Sequence, residues 1–412
     1  MKKKNSLIQN TIWLYMMNVA KLIFPLLTLP YLTRVLSTDT YGLVTYAKAL
    51  NSYVQLVLDF GFLLSATKNI VFADGDSEKI GRIIGDTLVE KCILGFCAAI
   101  VYIVALNFIP VMKTHFWFGM LNLGSVLITV FLFDFLFRGI EKMHLIAIPF
   151  VIAKSISTCL TFVFIHGNSD LMIIPLLDLI SNTIAVLISF YFVKKEKVSL
   201  QVSKYNKWFL DLRESSVYFM SNFATTIFGA LTTLIAGIYL PMTSIAYWGL
   251  CIQFLSAAKA LYNPITNSIY PHMIKEKDFK LVKKISILML VPMLIGSGIV
   301  LFGSNILMYV IGGEKYVEAG VTLKLLLPAF IFSFYSILFG WPVLGAIGKE
   351  KETTITTILA SVVQIIGLII LAIASKFSLN NLAIVTSVSE TFLFVARYAT
   401  FKSQKFIMEK HK

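Results

Sequence analysis

About twelve separate runs of some 20 predominantly apolar residues recur along this chain. A run of that length is what an α-helix needs to cross the hydrocarbon core of a bilayer. Inside lipid every backbone N–H and C=O must be satisfied within the protein, so repeated runs of this kind predict an all-α integral membrane bundle. In the first half they fall near 7–32, 41–64, 83–108, 116–137, 145–165 and 171–193. In the second half they fall near 215–238, 246–270, 285–310, 321–346, 354–375 and 382–401. Charged residues make up only 14% of the chain and mean hydropathy is +0.80, far from the balance of a soluble domain. The basic start, Lys2–Lys4, resembles a secretory leader, but its apolar run continues to about Leu32 without a small-residue cleavage site. It reads as an uncleaved first span.

Basic residues sort by side. With the N-terminus cytoplasmic, the inner segments hold 26 Lys and Arg and the outer loops four: Arg34, Lys113, Lys315 and Lys376. That asymmetry puts both termini in the cytoplasm and accounts for most of the net charge of +14. A nucleic-acid partner is not needed to explain it. Cys92, Cys97, Cys159 and Cys251 all lie in apolar runs and match no metal-ligand spacing, so they read as small hydrophobes. No cofactor is indicated.

The longest connection is central, 194–214, and cytoplasmic. Its WFLDL core amid basic residues fits a short amphipathic surface helix or a solvated linker equally well. The position prompts a search for duplication. Sliding the chain by 204 residues pairs 16–36 with 220–240 at 8 identities in 21 positions, Asn18 with Asn222 among them. The predicted organisation is therefore a six-helix lobe (1–193), a linker (194–214) and a second six-helix lobe (215–412) related by a parallel repeat, around a central cavity.

The second span carries Lys48, Asn51, Ser52, Gln55 and Asp59 on one helical face, because eleven steps of about 100° nearly close three turns. Its repeat mate carries Ser256, Lys259, Asn263 and Asn267 at similar spacing. Other spans contain Lys21, Lys91, Asp134, Lys154, Asp178, Lys324 and Glu390. Three mid-membrane lysines facing lipid would cost about 8–10 kcal/mol, as much as a protein's whole net stability. They are expected to face water, a counter-charge or a ligand. Lys21 and Lys259 lie near mid-span, Lys154 is intermediate, and Lys48 and Lys91 are close enough to span ends to snorkel.

Asp134 and Arg138 read as a local helix pair, and Arg82, Asp86 and Glu90 as a solvated face. Asp59 cannot reach Lys48 within the helix, about 16 Å away. It needs a partner on another helix, or it titrates as a coupling carboxylate. Asn18 and Lys21 precede Pro25 and Pro30, and Asn222 precedes Gly229. These spans can bend as a gate, or Gly229 can simply allow close packing.

Three runs in order, LPYLTRVLSTDTYGLVTYAKAL (29–50), LDFGFLLSATKNI (58–70) and RGIEKMHLIAI (138–148), resemble the Wzx-like polysaccharide flippases. Those belong to the multidrug/oligosaccharidyl-lipid/polysaccharide exporter superfamily. The resemblance implies a bacterial inner-membrane carrier that moves undecaprenyl-pyrophosphate-linked oligosaccharide by alternating access, for O-antigen or capsule, with other assembly proteins and a proton or sodium gradient as further partners. It implies basic residues lining the cavity from the first, second and eighth spans, the places of Lys21, Lys48 and Lys259. Lysine stands where relatives often have arginine, giving a point charge in place of a planar fork.

Lys154 joins this substrate-binding set, with Asn18, Gln55, Asn222, Asn263 and Tyr262 as neutral sugar partners and Asp59 as the coupling candidate. An organic-cation efflux carrier would favour cavity carboxylates over lysines. A membrane polysaccharide polymerase would need a long outer loop carrying reactive groups, and every outer loop here is short. His115, His144, His166, His272 and His411 form no nucleophile constellation.

Overall fold

The computed structural model describes residues 2–196, 198, 200–203 and 205–410. These are helices and their connections, with no strand among the described residues. Among the described residues, ten helices are long and apolar enough to cross a membrane, or eleven if Lys207–Ala224 and Gly229–Tyr239, bent by 53°, form one span. The predicted run 246–270 lies on a continuous 35-residue helix, Met242–Glu276, which carries Gln253, Ser256 and Lys259 and is not among those ten. Large apolar side chains such as Phe96, Phe108, Phe302 and Ile373 are mostly exposed, as a lipid-facing surface requires.

The chain divides into two compact units, Met1–Phe223 and Ala224–Lys412. The first holds α1 (Lys2–Val35), α2 (Thr38–Asp59), α3 (Phe62–Phe72), α4 (Ser77–Phe108), α5 (Pro110–Thr114) and α6 (Phe116–Leu127). After these come α7 (Asp134–Gly139), α8 (His144–Phe164), α9 (Ile173–Lys195) and most of α10 (Tyr205–Thr226). α8 packs on α9 and α1, α6 on α9, and α3 on α7.

Two predicted spans of this unit are broken. The run 41–64 divides where Phe60 and Gly61 take left-handed backbone, with φ of 31° and 82°. Glycine is required at the second position for two reasons. The conformation is costly for any residue with a Cβ, and a Cβ there would come within 2.6 Å of the Ser215 carbonyl on α10. The run 116–137 divides too: α6 ends at Leu127, one 3₁₀ turn covers Ile128–Phe131, and the chain is extended at Leu132 before α7 starts at Asp134. Phe133, Phe135, Leu136 and Phe137 anchor this break in an apolar cluster with Phe62, Ile84 and Ile146.

The WFLDL core of the connection after α9 lies on the start of α10, with Phe209 and Leu210 exposed, and the stretch before it is held by the protein. That stretch docks onto the start of α4. Gln201 N donates to Gly81 O at 3.2 Å, and Arg82 Nε donates to Gln201 Oε1 at 3.2 Å. The buried Asp86 carboxylate accepts from Ser203 N at 2.6 Å, Trp208 Nε1 at 3.0 Å and Lys207 Nζ at 3.2 Å. Asp86 and Glu90, read as a solvated face, are thus buried, and the Trp208 indole N–H is bonded within the protein. Gly85 permits the contact, since a Cβ there would sit 1.9 Å from Gln201 O.

The second unit holds α11 (Thr232–Tyr239), α12 (Met242–Glu276), α13 (Phe279–Gly312), α14 (Ala319–Leu325), α15 (Leu327–Leu338), α16 (Glu350–Ile373) and α17 (Leu379–Lys410). Its interior is joined by neutral hydrogen bonds. Gln364 Nε2 donates to Thr232 Oγ1 and Thr386 Oγ1 at 3.1 and 3.2 Å, and Ser387 Oγ to Leu325 O at 2.7 Å. α15 unwinds into a π-turn at Phe339–Leu344, where the buried Arg397 donates to Ser336 O at 2.6 Å and Thr357 Oγ1 at 2.9 Å. Tyr262, a proposed sugar partner, is buried against Phe334, its hydroxyl 3.4 Å from Phe330 O.

Candidate functional site: an ionisable cavity in the first unit

A cavity of about 500 Å³ opens inside the first unit, walled by α1, α2, α3, α4, the broken α6–α7 segment, α8 and α9. The break builds one wall. Where α6 stops, the Leu132 carbonyl has no helical partner and accepts from Lys91 Nζ at 3.4 Å. Irregular backbone at membrane depth persists only where protein or a water-filled cavity satisfies it. Both occur here.

Three lysines, Lys21, Lys91 and Lys154, and two aspartates, Asp59 and Asp134, line the space. Lys21 stands over the Phe150 ring, 5.4 Å from its centroid, and forms no ion pair among the described residues. Lys91 is buried, not extended to the surface as a snorkelling residue would be. Lys21 and Lys91 both lie within electrostatic range of Asp59 and Asp134. Lys154 Nζ is 3.3 Å from Asp178 Oδ1. Asp59 accepts from Gln55 Nε2 at 3.0 Å, and Gln55 Oε1 accepts from Thr129 Oγ1 at 3.2 Å. The second-span stripe therefore faces this cavity at its Gln55–Asp59 end. Lys48, at the other end, is exposed and does not line it.

Asp134 and Arg138 form no ion pair among the described residues, contrary to the local-pair reading. Asp134 starts α7 on the cavity wall, and Arg138 Nε is buried without a hydrogen-bond partner. The other predicted residues lie elsewhere. Asn18 and Asn222 are exposed, on α1 and α10. Lys259 pairs with Glu390, whose side chain is 7% exposed. The Asn263 side chain lies outside the described residues. Sequence reasoning did not select Lys91, Asp134, Asn182 or Ser189 for the site. Asp178, Asn182 and Ser189 recur at helical spacing on α9, and that stripe was the available signal.

With Lys154 held by Asp178, two ammonium groups remain opposite two carboxylates. Such a space is balanced in charge, and adding one proton to either carboxylate tips it toward anion binding. Its volume suits a charged headgroup and a sugar, not a long saccharide.

The polysaccharide biosynthesis protein family profile matches residues 7–277. The chain belongs to that family. Two curated relatives, both named "Putative O-antigen transporter", support the same grouping. The Shigella dysenteriae protein is 27% identical over 368 residues, covering 87% of this chain and 91% of its own. The Escherichia coli (strain K12) protein is 25% identical over 378 residues, covering 88% and 89%.

Among solved structures, an inward-facing MATE family multidrug resistance transporter of the MOP superfamily superposes with a TM-score of 0.75 at 14% identity, over 94% of this chain and 96% of that one. The lipid II flippase MurJ, inward closed, gives 0.69 at 13% identity, over 96% and 87%. These likenesses show the fold. The family match and the membrane-length helices make this a multi-pass membrane protein, and both curated relatives are named as transporters.

Proposed function

We propose that this protein flips undecaprenyl-pyrophosphate-linked oligosaccharide from the cytoplasmic to the periplasmic leaflet of a bacterial inner membrane, by alternating access, for O-antigen or capsule assembly. The observation that carries this reading is the set of three lysines facing one intramembrane cavity beside a broken helix. A pyrophosphate must cross a low-dielectric layer, and fixed cations along its path lower that barrier. The relatives' names, which specify O-antigen transport, support the substrate class. Excess Lys and Arg in alternate loops supports cytoplasmic termini.

Lys21 meets the diphosphate, with Lys154 as a second contact once Asp178 releases it. Asp59 is the coupling carboxylate: its protonation leaves Lys21 and Lys91 in excess and recruits the anion, and its deprotonation restores balance and favours release. Gln55 and Asn182 offer neutral partners to the first sugar. The prenyl tail stays in lipid, and no bond is broken.

Complementation tests this. In a strain lacking its own flippase, wild type should restore surface polysaccharide, while Lys21→Ala and Lys154→Ala, at equal protein levels, should not. Normal polymer from both variants would remove the assignment. Organic-cation efflux has one observation in its favour, the pair of cavity carboxylates. Uptake of a cationic dye that requires Asp59 but tolerates Lys21→Ala would favour it.

A further inference from the structure

We propose that a second pocket, in the Ala224–Lys412 unit, binds the headgroup of an anionic membrane phospholipid. The connection from α12 to α13 is tight. Lys277 takes left-handed backbone at φ 47°, and Asp278 Oδ1 caps α13 by accepting from Lys280 N at 2.9 Å and Leu281 N at 3.0 Å. This turn brings Lys277, Lys280 and Lys283 to the rim of a cavity of about 690 Å³. Its floor is aromatic. Phe339 packs on Phe401 and Tyr398, each at 5.2 Å between ring centroids, and Phe279 packs edge-on to Phe401 at 5.5 Å.

The charge at the rim is only partly offset from within: Asp278, the one acidic residue of the lining, stands against three lysines, with Oδ1 accepting the helix-cap bonds. Lys277, Lys280 and Lys283 form no ion pair among the described residues. Lys280 and Lys283 lie in the first turns of α13, itself a membrane-length helix, and Lys277 just before it, so the pocket sits at a membrane boundary on the lysine-rich side of the chain. Tyr398 is 45% exposed there, and its half-apolar ring suits that depth.

Cations above an aromatic floor match an amphiphile: phosphate at the rim, glycerol and the first methylenes against the rings. A free anion would use only the rim, and a zwitterionic lipid would leave the lysines uncompensated. Clusters of basic residues immediately outside a span recognise anionic lipids in this way. The proposal is independent of the transport reading, since all of its residues belong to the second unit and none lines the cavity assigned to transport.

The test uses the full-length protein in detergent, with native mass spectrometry of bound phosphatidylglycerol, phosphatidylcholine and undecaprenyl diphosphate. Wild type should retain phosphatidylglycerol over phosphatidylcholine. The triple variant Lys277→Gln, Lys280→Gln, Lys283→Gln should lose about 100-fold in affinity, roughly fivefold per lysine. The single Lys280→Glu variant should lose most of the preference without touching the cap. A control of equal charge change, Lys194→Gln, Lys195→Gln, Lys351→Gln, should bind as wild type does. Equal retention of the two phospholipids, or equal losses in triple and control, would overturn the site. So would tighter binding of undecaprenyl diphosphate that the triple variant abolishes, which would make the pocket a substrate-loading site.

Discussion

Removing the Asp86 carboxylate should free the central connection from α4. In Asp86→Ala three hydrogen bonds to a buried anion vanish, and the Ser203 and Trp208 N–H groups lose their acceptor. Bonds to a charged group are worth about 1.5–3 kcal/mol each, but they are not additive, and the Lys207 side chain is 44% exposed and counts for little. A loss of about 3–5 kcal/mol, from the Ser203 and Trp208 bonds to the carboxylate, is the working figure. At about 1.4 kcal/mol per tenfold it raises the open fraction roughly 10²- to 4 × 10³-fold. Hydrogen exchange by mass spectrometry reads this directly at the Gln201 and Ser203 amides, which are bonded to Gly81 O and Asp86. Lys207→Ala should move the same amides by less than about tenfold. Gly85→Ala should open them without touching any polar group, because its methyl displaces Gln201. Unchanged protection in Asp86→Ala would refute the docking.

Lys259→Ala should destabilise the protein by about 3–5 kcal/mol by stranding the buried Glu390, and the double change Lys259→Met, Glu390→Gln should recover most of it; thermal unfolding in detergent checks both. If the double variant is stable yet inactive, Lys259 has a role beyond pairing. Gly61→Ala should lower the unfolding temperature markedly, since it strains a left-handed turn and collides with Ser215 O. The Asp76 and Asp278 carboxyls are held below the ordinary aspartate value of about 3.9, chiefly by the backbone N–H groups of Lys79 and Leu281 respectively. A depressed folded value means the stabilisation is present above the unfolded pKa and is lost as pH falls through the folded one. Carbon-13 titration of the labelled carboxyls should therefore show midpoints below those of Asp76 and Asp278 in the denatured chain.

The membrane-helical architecture was legible because lipid imposes a length and a polarity that twenty residues at a time can display. The breaks were not. TVFLFDF, 129–135, is apolar from its threonine to its aspartate and lacks the glycine or proline that usually marks a stop, so hydropathy runs straight through it. At Gly61 the signal existed, but the surrounding apolar run outweighed it. Partnerships were the least readable feature. Asp86 meets Ser203 across 117 residues, and Lys259 meets Glu390 across 131, and no local spacing encodes either. Mid-span position marked Lys21 as costly in lipid, whereas Lys91 sits close enough to a span end to snorkel, and only the broken wall opposite it shows why it stays inside.

Flipping itself is the decisive measurement. Purified protein in proteoliposomes, loaded with undecaprenyl-pyrophosphate-linked oligosaccharide, should expose the saccharide to an externally added glycosidase faster than protein-free vesicles do. Lys21→Ala should fall to the protein-free rate while still folding. Exposure no faster than in protein-free vesicles, or undiminished exposure with Lys21→Ala, would contradict the account.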